Sequence, residues 1–139
     1  MQPTVRALFI KREKGGRSIR LQSAHAVEGG LDGDHHTGST RRRQILLMSG
    51  NVLDELRIEP GAISENVVVD GLDVMTLQPG QQLQLGEALV AVTFPCEPCV
   101  QMDRVRYGLQ DELQSRRGMF VKVIAPGIVR VGDSVEIRA

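Results

Sequence analysis

The chain of 139 residues has no tryptophan, one tyrosine and three phenylalanines, so an aromatic core is excluded and aliphatic side chains must supply it. It has no net charge either: 17 basic and 17 acidic side chains cancel. That balance removes the footprint expected of a nucleic-acid or membrane-surface binder, and any anion site must come from local clustering. Long apolar runs are missing as well. The run of four residues at positions 7–10 gives way to charges, against the roughly 20 needed to cross a bilayer. No signal or membrane segment is expected, so the protein is expected in the cytoplasm, where thiols stay reduced. Cysteine is scarce, with two in the chain, and a structural disulfide is not expected.

What the sequence does have is punctuation. Fifteen glycines and six prolines separate short β-type runs. The length suits one domain over residues 1–139, large enough to bury a real core. Residues 5–11, 44–48, 66–70, 82–85, 88–94, 119–124 and 134–138 read as strands. Residues 49–57, with Ser49 as cap, and 109–117, closed by Gly118, read as short helices. PGQQLQLGEALV from Pro79 and PGIVRVGDSVEI from Pro126 share their turn residues, which predicts two related hairpins. These pieces predict a mainly β protein: a small, partly open, barrel-like domain with two or three short helices.

Both cysteines lie in FPCEPCVQM, three residues apart. A thioredoxin-type pair needs a helix after a strand in a βαβ setting, and no long amphipathic helix follows here. For zinc, one C-x-x-C supplies half a ligand set, with His35 and His36 as the remaining candidates. As plain apolar residues the thiols are oddly placed, because Pro95, Glu97 and Pro98 make the segment an irregular loop. Arg104 and Arg106 follow closely enough to act on a thiol.

Residues 28–40 form a Gly-rich polar stretch with no hydrophobic period. A loop of that length in a small domain tends to be functional. It leads into Arg41, Arg42 and Arg43, and together these make an anion pocket plausible: backbone N–H groups approach and guanidinium forks clamp. Arg116-Arg117-Gly118 is a second such cluster. Glu65 and Asn66 precede a strand, where they read either as turn residues or as a pair that orients a polar ligand.

In order, GLDGDHHTG, RQILLMS, PGAISENVVVDGLDV, PCVQMD and RRGMFVKVIAPGIVRVGD resemble the MOSC domain, the module at the C-terminus of molybdenum cofactor sulfurases and in standalone bacterial proteins. The resemblance covers residues 24–137 and implies a β-barrel-like domain that binds molybdopterin. Its G-D-x-H-x-G element falls on Gly33, Asp34, His36 and Gly38, and its Arg-Gln pair on Arg43 and Gln44. Its G-E-N element falls on Ser64, Glu65 and Asn66, with serine where glycine is usual. The family cysteine, used in sulfur transfer or as a molybdenum ligand, falls on Cys99, and Cys96 becomes an optional neighbour. The resemblance then implies Cys99 as catalytic thiol and metal ligand, with Glu65 and Asn66 lining the pocket. Arg43, His36, Arg116 and Arg117 would hold the anionic part of the cofactor. It leaves two chemistries, sulfur carriage and reduction of N-hydroxylated substrates. Beside them stand a delivery module without chemistry and a zinc-stabilised β domain. The chain carries no pyridoxal phosphate domain and no iron–sulfur motif, so a sulfur-donor or electron-donor protein is the expected partner.

Overall fold

A computed structural model describes residues 2–38 and 42–138. Arg41, one of the three consecutive arginines, lies outside the described residues. The strands are β1 (Thr4–Ile10), β2 (Ile19–Leu21), β3 (Ser23–Val27), β4 (Gly30–Leu31), β5 (Ile45–Ser49), β6 (Val67–Asp70), β7 (Gln82–Leu85), β8 (Ala88–Pro95), β9 (Met119–Ala125), β10 (Gly127–Arg130) and β11 (Val135–Arg138). Short helices are α1 (Gly50–Leu56), α2 (Met102–Val105) and α3 (Leu109–Glu112), with a 3-10 turn at Val74–Thr76. The protein is therefore mainly β with three short helices.

One sheet has eight strands in the order β11-β7-β8-β9-β5-β6-β1-β2, and a second has three, β10-β3-β4. The large sheet is not closed by a strand ladder. It curls until Thr4 bridges Ser134, where Val5 N–H donates to Asp133 O (2.9 Å) and Val135 N–H to Pro3 O (2.9 Å). "Barrel-like" therefore holds loosely: the ends meet at one corner.

Pairing is antiparallel except between β5 and β6, which run parallel with α1 as crossover. Parallel strands under a crossover helix are buried on both faces, which explains why ILLM and VVV lack alternation. Ile45, Leu47, Val67 and Val69 point into the main core with Val5, Leu8 and Val121. Met48 and Val68 point the other way, into a second cluster with Ala7, Phe9, Leu53, Met102, Leu109 and Leu113 under the helices. Arg6, at the irregularity in β1, ties these layers: its guanidinium donates to both Asp54 oxygens on α1 and to Asp70 on β6, each at 2.8 Å.

Three expectations need correction. Ser49 occupies the N-cap position but does not cap α1. Its hydroxyl accepts from Val74 N–H (2.9 Å) and donates to Leu72 O (3.3 Å), anchoring the 3-10 turn instead. The second helix stops at Glu112 rather than Arg117, and Ser115 beyond it adopts a left-handed φ of 64°. Only PGQQLQLGEALV forms a hairpin, β7–β8. In PGIVRVGDSVEI, β10 joins β3 and β11 joins β7, so the segment crosses between sheets. Its Gly127 is seated so tightly that a Cβ would fall 2.4 Å from the Glu87 carbonyl.

Candidate functional site

The loop at residues 32–38 is organised around Asp34, which is buried. Its Oδ1 accepts from Lys11 N–H (2.8 Å) and Asn66 Nδ2 (3.4 Å). Its Oδ2 accepts from His36 N–H (3.2 Å) and faces His36 Nδ1 at 3.4 Å. Burial opposes the charge on Asp34, but the hydrogen bonds from His36 and Lys11 outweigh it and hold the carboxyl below its ordinary range. The tight turn uses Gly33 at φ 88°, and Gly38 N–H returns to Gly29 O at 3.3 Å. Burial and the neighbouring His36 push the His35 imidazole below its usual value. Ligand atoms of Asp34, His35 and His36 lie within 4.8 Å of one another, and neither cysteine belongs to that group.

Asn66 carries this loop into the sheet. Its Oδ1 accepts from Leu46 N–H (2.9 Å), and its Nδ2 donates to Phe9 O (3.1 Å). Its own backbone N–H donates to Leu46 O, and its carbonyl accepts from Phe9 N–H. Both polar ends of this side chain thus join β1, β5 and the Asp34 loop. Preceding it, Ser64 holds a left-handed φ of 65°, the conformation glycine adopts without penalty. The serine keeps the turn that the expected glycine would make, and its hydroxyl accepts from Lys11 Nζ at 2.9 Å.

Glu65 is different. Its Oε2 accepts from Gly61 N–H (2.9 Å), while Oε1 is buried with no partner among the described residues. Burial pushes its pKa up, and the nearby Arg117 charge only partly counters this. Arg117 is itself buried: Nη2 donates to Ile63 O at 2.5 Å, and Nη1 is left without a partner among the described residues. Unpaired buried polar groups are rare because each costs about 1–3 kcal/mol, more when charged.

Gly118 then leads to the thiols, because its carbonyl accepts from Cys96 N–H at 2.9 Å. After β8, residues 96–100 follow no ladder, and Met102 N–H turns back onto Cys99 O at 3.0 Å. Both cysteines are free, Cys96 half-buried and Cys99 exposed. Cys96 lines two cavities. One of about 420 Å³ is bounded by Met75, Leu77, Pro95, Gln114, Ser115 and Met119, among others. The other, about 250 Å³, is bounded by Arg43, Phe94, Glu97 and Phe120. Cys99 lines neither. Burial pushes the Cys96 thiol up, while the Arg117 and Arg43 charges pull it down, with Cys99 and Glu97 adding to the rise. Larger cavities exist, such as an open one of about 610 Å³ along residues 12–20. It contains no thiol and none of the residues the sequence singled out.

The expected site residues therefore separate. Asp34, His36 and Asn66 form one hydrogen-bonded unit, with Glu65 adjoining it and Arg117 linking towards Cys96 and Arg43. Gln44 is buried, and its Oε1 accepts from Val123 N–H at 2.9 Å, so it braces β9. Arg116 turns outward, paired with Glu55 on α1 and with its Nε on Glu112 O at 2.8 Å. Sequence reasoning missed Phe94 and Phe120, whose rings sit 5.2 Å apart with the Arg43 guanidinium at 5.5 and 5.9 Å. A signal was there: two of the three phenylalanines flank the thiol motif and the Arg116-Arg117-Gly118 cluster.

These features define a mainly β protein with a thiol-bearing pocket, lined by Arg43, where the interior strands β8 and β9 of its large sheet meet the Cys96 loop. The same fold occurs in the YuaD protein from Bacillus subtilis (TM-score 0.89, 23% identity, 99% of this chain and 96% of that one). It also occurs in YiiM from Escherichia coli (TM-score 0.75, 22% identity, 98% of this chain and 70% of that one). A third likeness is YiiM from Geobacillus stearothermophilus (TM-score 0.74, 16% identity, 99% and 75%). At these identities the likeness concerns the fold alone. No curated protein sequence gives a significant match. Residues 32–136 match the MOSC domain model, and the chain belongs to the MOSC domain family, which is associated with the molybdenum cofactor.

Proposed function

We propose that the chain binds the molybdenum cofactor beside the Cys96–Cys99 loop and carries sulfur on Cys99. One observation carries this reading: an exposed thiol stands three residues from a half-buried one whose pocket is lined by Arg43 and whose sulfur lies within reach of the Arg117 charge. The donor set suits the group. Thiolates are soft ligands, Arg43 offers a fork for an anionic substituent, and Arg117 adds positive charge beside Cys96. When bound, the cofactor supplies a molybdenum centre able to exchange sulfur ligands. The protein's part is distinct from that chemistry. Arg43 and Arg117 supply positive charge, His36 and Gly38 hold the loop edge, and Asn66 and Asp34 fix the wall. Glu65 faces Arg117 as its partial counter-charge.

Cys99 acts as the receiving thiol. Its thiolate attacks the outer sulfur of a persulfide on a donor protein, the donor's S–S bond breaks, and the donor leaves as a thiolate. Exposure favours this role over that of a ligand in an enclosed reductase site, where the thiol would be sheltered from water.

The direct experiment is metal and pterin analysis of protein produced in a host that makes the cofactor. Molybdenum and pterin should copurify in equal amounts, and Cys99→Ser should abolish sulfur uptake. Protein that holds zinc instead, or neither molybdenum nor pterin, would sink the proposal. Unchanged sulfuration of a client protein with Cys99→Ser would leave a delivery module without chemistry.

A further inference from the structure

We infer that Cys96 is a second, inner sulfur station, and that sulfur loaded on Cys99 passes to Cys96 before it leaves the protein. This rests on the sulfur-carrier reading above and goes beyond it, since that reading needs only Cys99. The two thiols differ in every respect that matters for direction. Cys99 is exposed and lines no cavity, so an outside donor can reach it. Cys96 is half-buried on the wall shared by the two cavities and is less open to an outside donor than Cys99. The larger of the two, about 420 Å³, falls within the range of roughly 300–1,000 Å³ typical of ligand pockets.

Charge bears on the attacking group. The outer sulfur of a persulfide is neutral sulfane sulfur that a thiolate attacks, and Arg43 and Arg117 are the cations that favour the Cys96 thiolate against the burial that opposes it. Arg43 is presented at the mouth of the smaller cavity by the Phe94 and Phe120 rings. Only Glu97 and Pro98, outside any strand ladder, separate the two cysteines along the chain. The nearby Cys99 adds to the upward push on the Cys96 thiol. The transfer balances without oxidant or reductant. The Cys96 thiol gives its proton to water, and its sulfur attacks the outer sulfur on Cys99. The Cys99 Sγ–S bond breaks as the Cys96 Sγ–S bond forms, and Cys99 is left as a thiolate that recovers a proton.

The test uses the full-length protein, glutathione persulfide as donor without oxygen, and rapid alkylation. Fragment-ion mass spectra then locate the added sulfur on each cysteine over time. In the wild type the label should appear on Cys99 first and on Cys96 later, at the expense of Cys99. With Cys96→Ser it should remain on Cys99. With Cys99→Ser, Cys96 should load at least ten-fold more slowly. Arg43→Gln should lower the fraction of label that passes from Cys99 to Cys96. Equal loading of Cys96 in the Cys99→Ser protein would overturn the relay. So would label that stays on Cys99 in the wild type, or sulfide release with a Cys96–Cys99 disulfide, and either result would leave the carrier role of Cys99 standing. Absence of label on both cysteines would remove the carrier reading and the relay with it.

Discussion

Asn66 and Arg117 are both buried, polar and close to the candidate site, yet they are treated in opposite ways. Asn66 has both ends of its amide and both backbone groups engaged across β1, β5 and the Asp34 loop. Arg117 has one amino group on Ile63 O and the other without a partner among the described residues, beside a Glu65 oxygen in the same condition. Complete pairing of the first kind fixes a wall of strands around the Asp34 loop. Incomplete pairing of the second kind leaves a buried donor and a buried acceptor side by side. Sequence motifs of similar polarity thus hide two physical jobs, and variants on each side should separate them.

The largest expected effect is on the saturated side. Asn66→Ala strands Leu46 N–H and Phe9 O, and at about 1–3 kcal/mol for each unsatisfied buried group the loss approaches 4 kcal/mol. Thermal or urea unfolding should report it, while Cys99→Ser, at an exposed position, should leave the midpoint unmoved. Equal losses would erase the distinction between wall and chemistry. Next comes Gly118→Ala at the junction. Here φ is 132° and a Cβ would lie 2.6 Å from Leu47 O. About 2 kcal/mol should be lost through backbone strain and a clash that only backbone movement relieves. Cys96 should alkylate faster as its anchor on the Gly118 carbonyl shifts. Unchanged alkylation would mean that this anchor does not govern the thiol.

A smaller effect belongs to Glu65→Gln. Burial raises the Glu65 pKa, so the folded chain holds that proton more tightly than the unfolded one. The resulting stabilisation is complete below the ordinary value of 4.5 and is lost as pH rises through the folded-state value. The glutamine variant should therefore gain on the wild type in urea titrations from pH 4.5 towards neutrality. A difference independent of pH would show that the Glu65 charge is compensated after all. Smallest is Ser64→Gly. Relief of a left-handed serine is worth about 1 kcal/mol, and loss of the Lys11 hydrogen bond offsets most of it. A net change above about 1 kcal/mol in either direction would mean that one of these contributions is misjudged.

Much of the fold could be read from residue order because its strands are punctuated apolar runs. β5, β6, β8 and β9 are bounded by polar or Gly-rich stretches, and burial on both faces strengthened the signal of β5 and β6. β3 escaped because its inward residues are Ala24 and Ala26, too small to stand out against His25 and Ser23. The hairpin error at residues 126–137 has a similar cause: turn chemistry reports where the chain bends and not which sheet it joins next. At the site, the resemblance separated Cys99 from Cys96, yet residue types alone could not tell Arg117 from Arg116. One is buried beside Glu65 and donates to Ile63 O, and the other is paired on the surface with Glu55, a difference that adjacent residues of one type do not reveal.

The stacking of Arg43 on Phe94 and Phe120 has a consequence in entropy. A guanidinium on a long aliphatic stem carries about 2 kcal/mol of rotamer freedom, which an exposed arginine must surrender when it closes on an anion. Two rings beneath Arg43 have already narrowed that freedom before any ligand arrives. Its affinity for an incoming anion is therefore set less by ordering the side chain than by desolvating it, and a guanidinium is the weakly hydrated cation for which that cost is smaller.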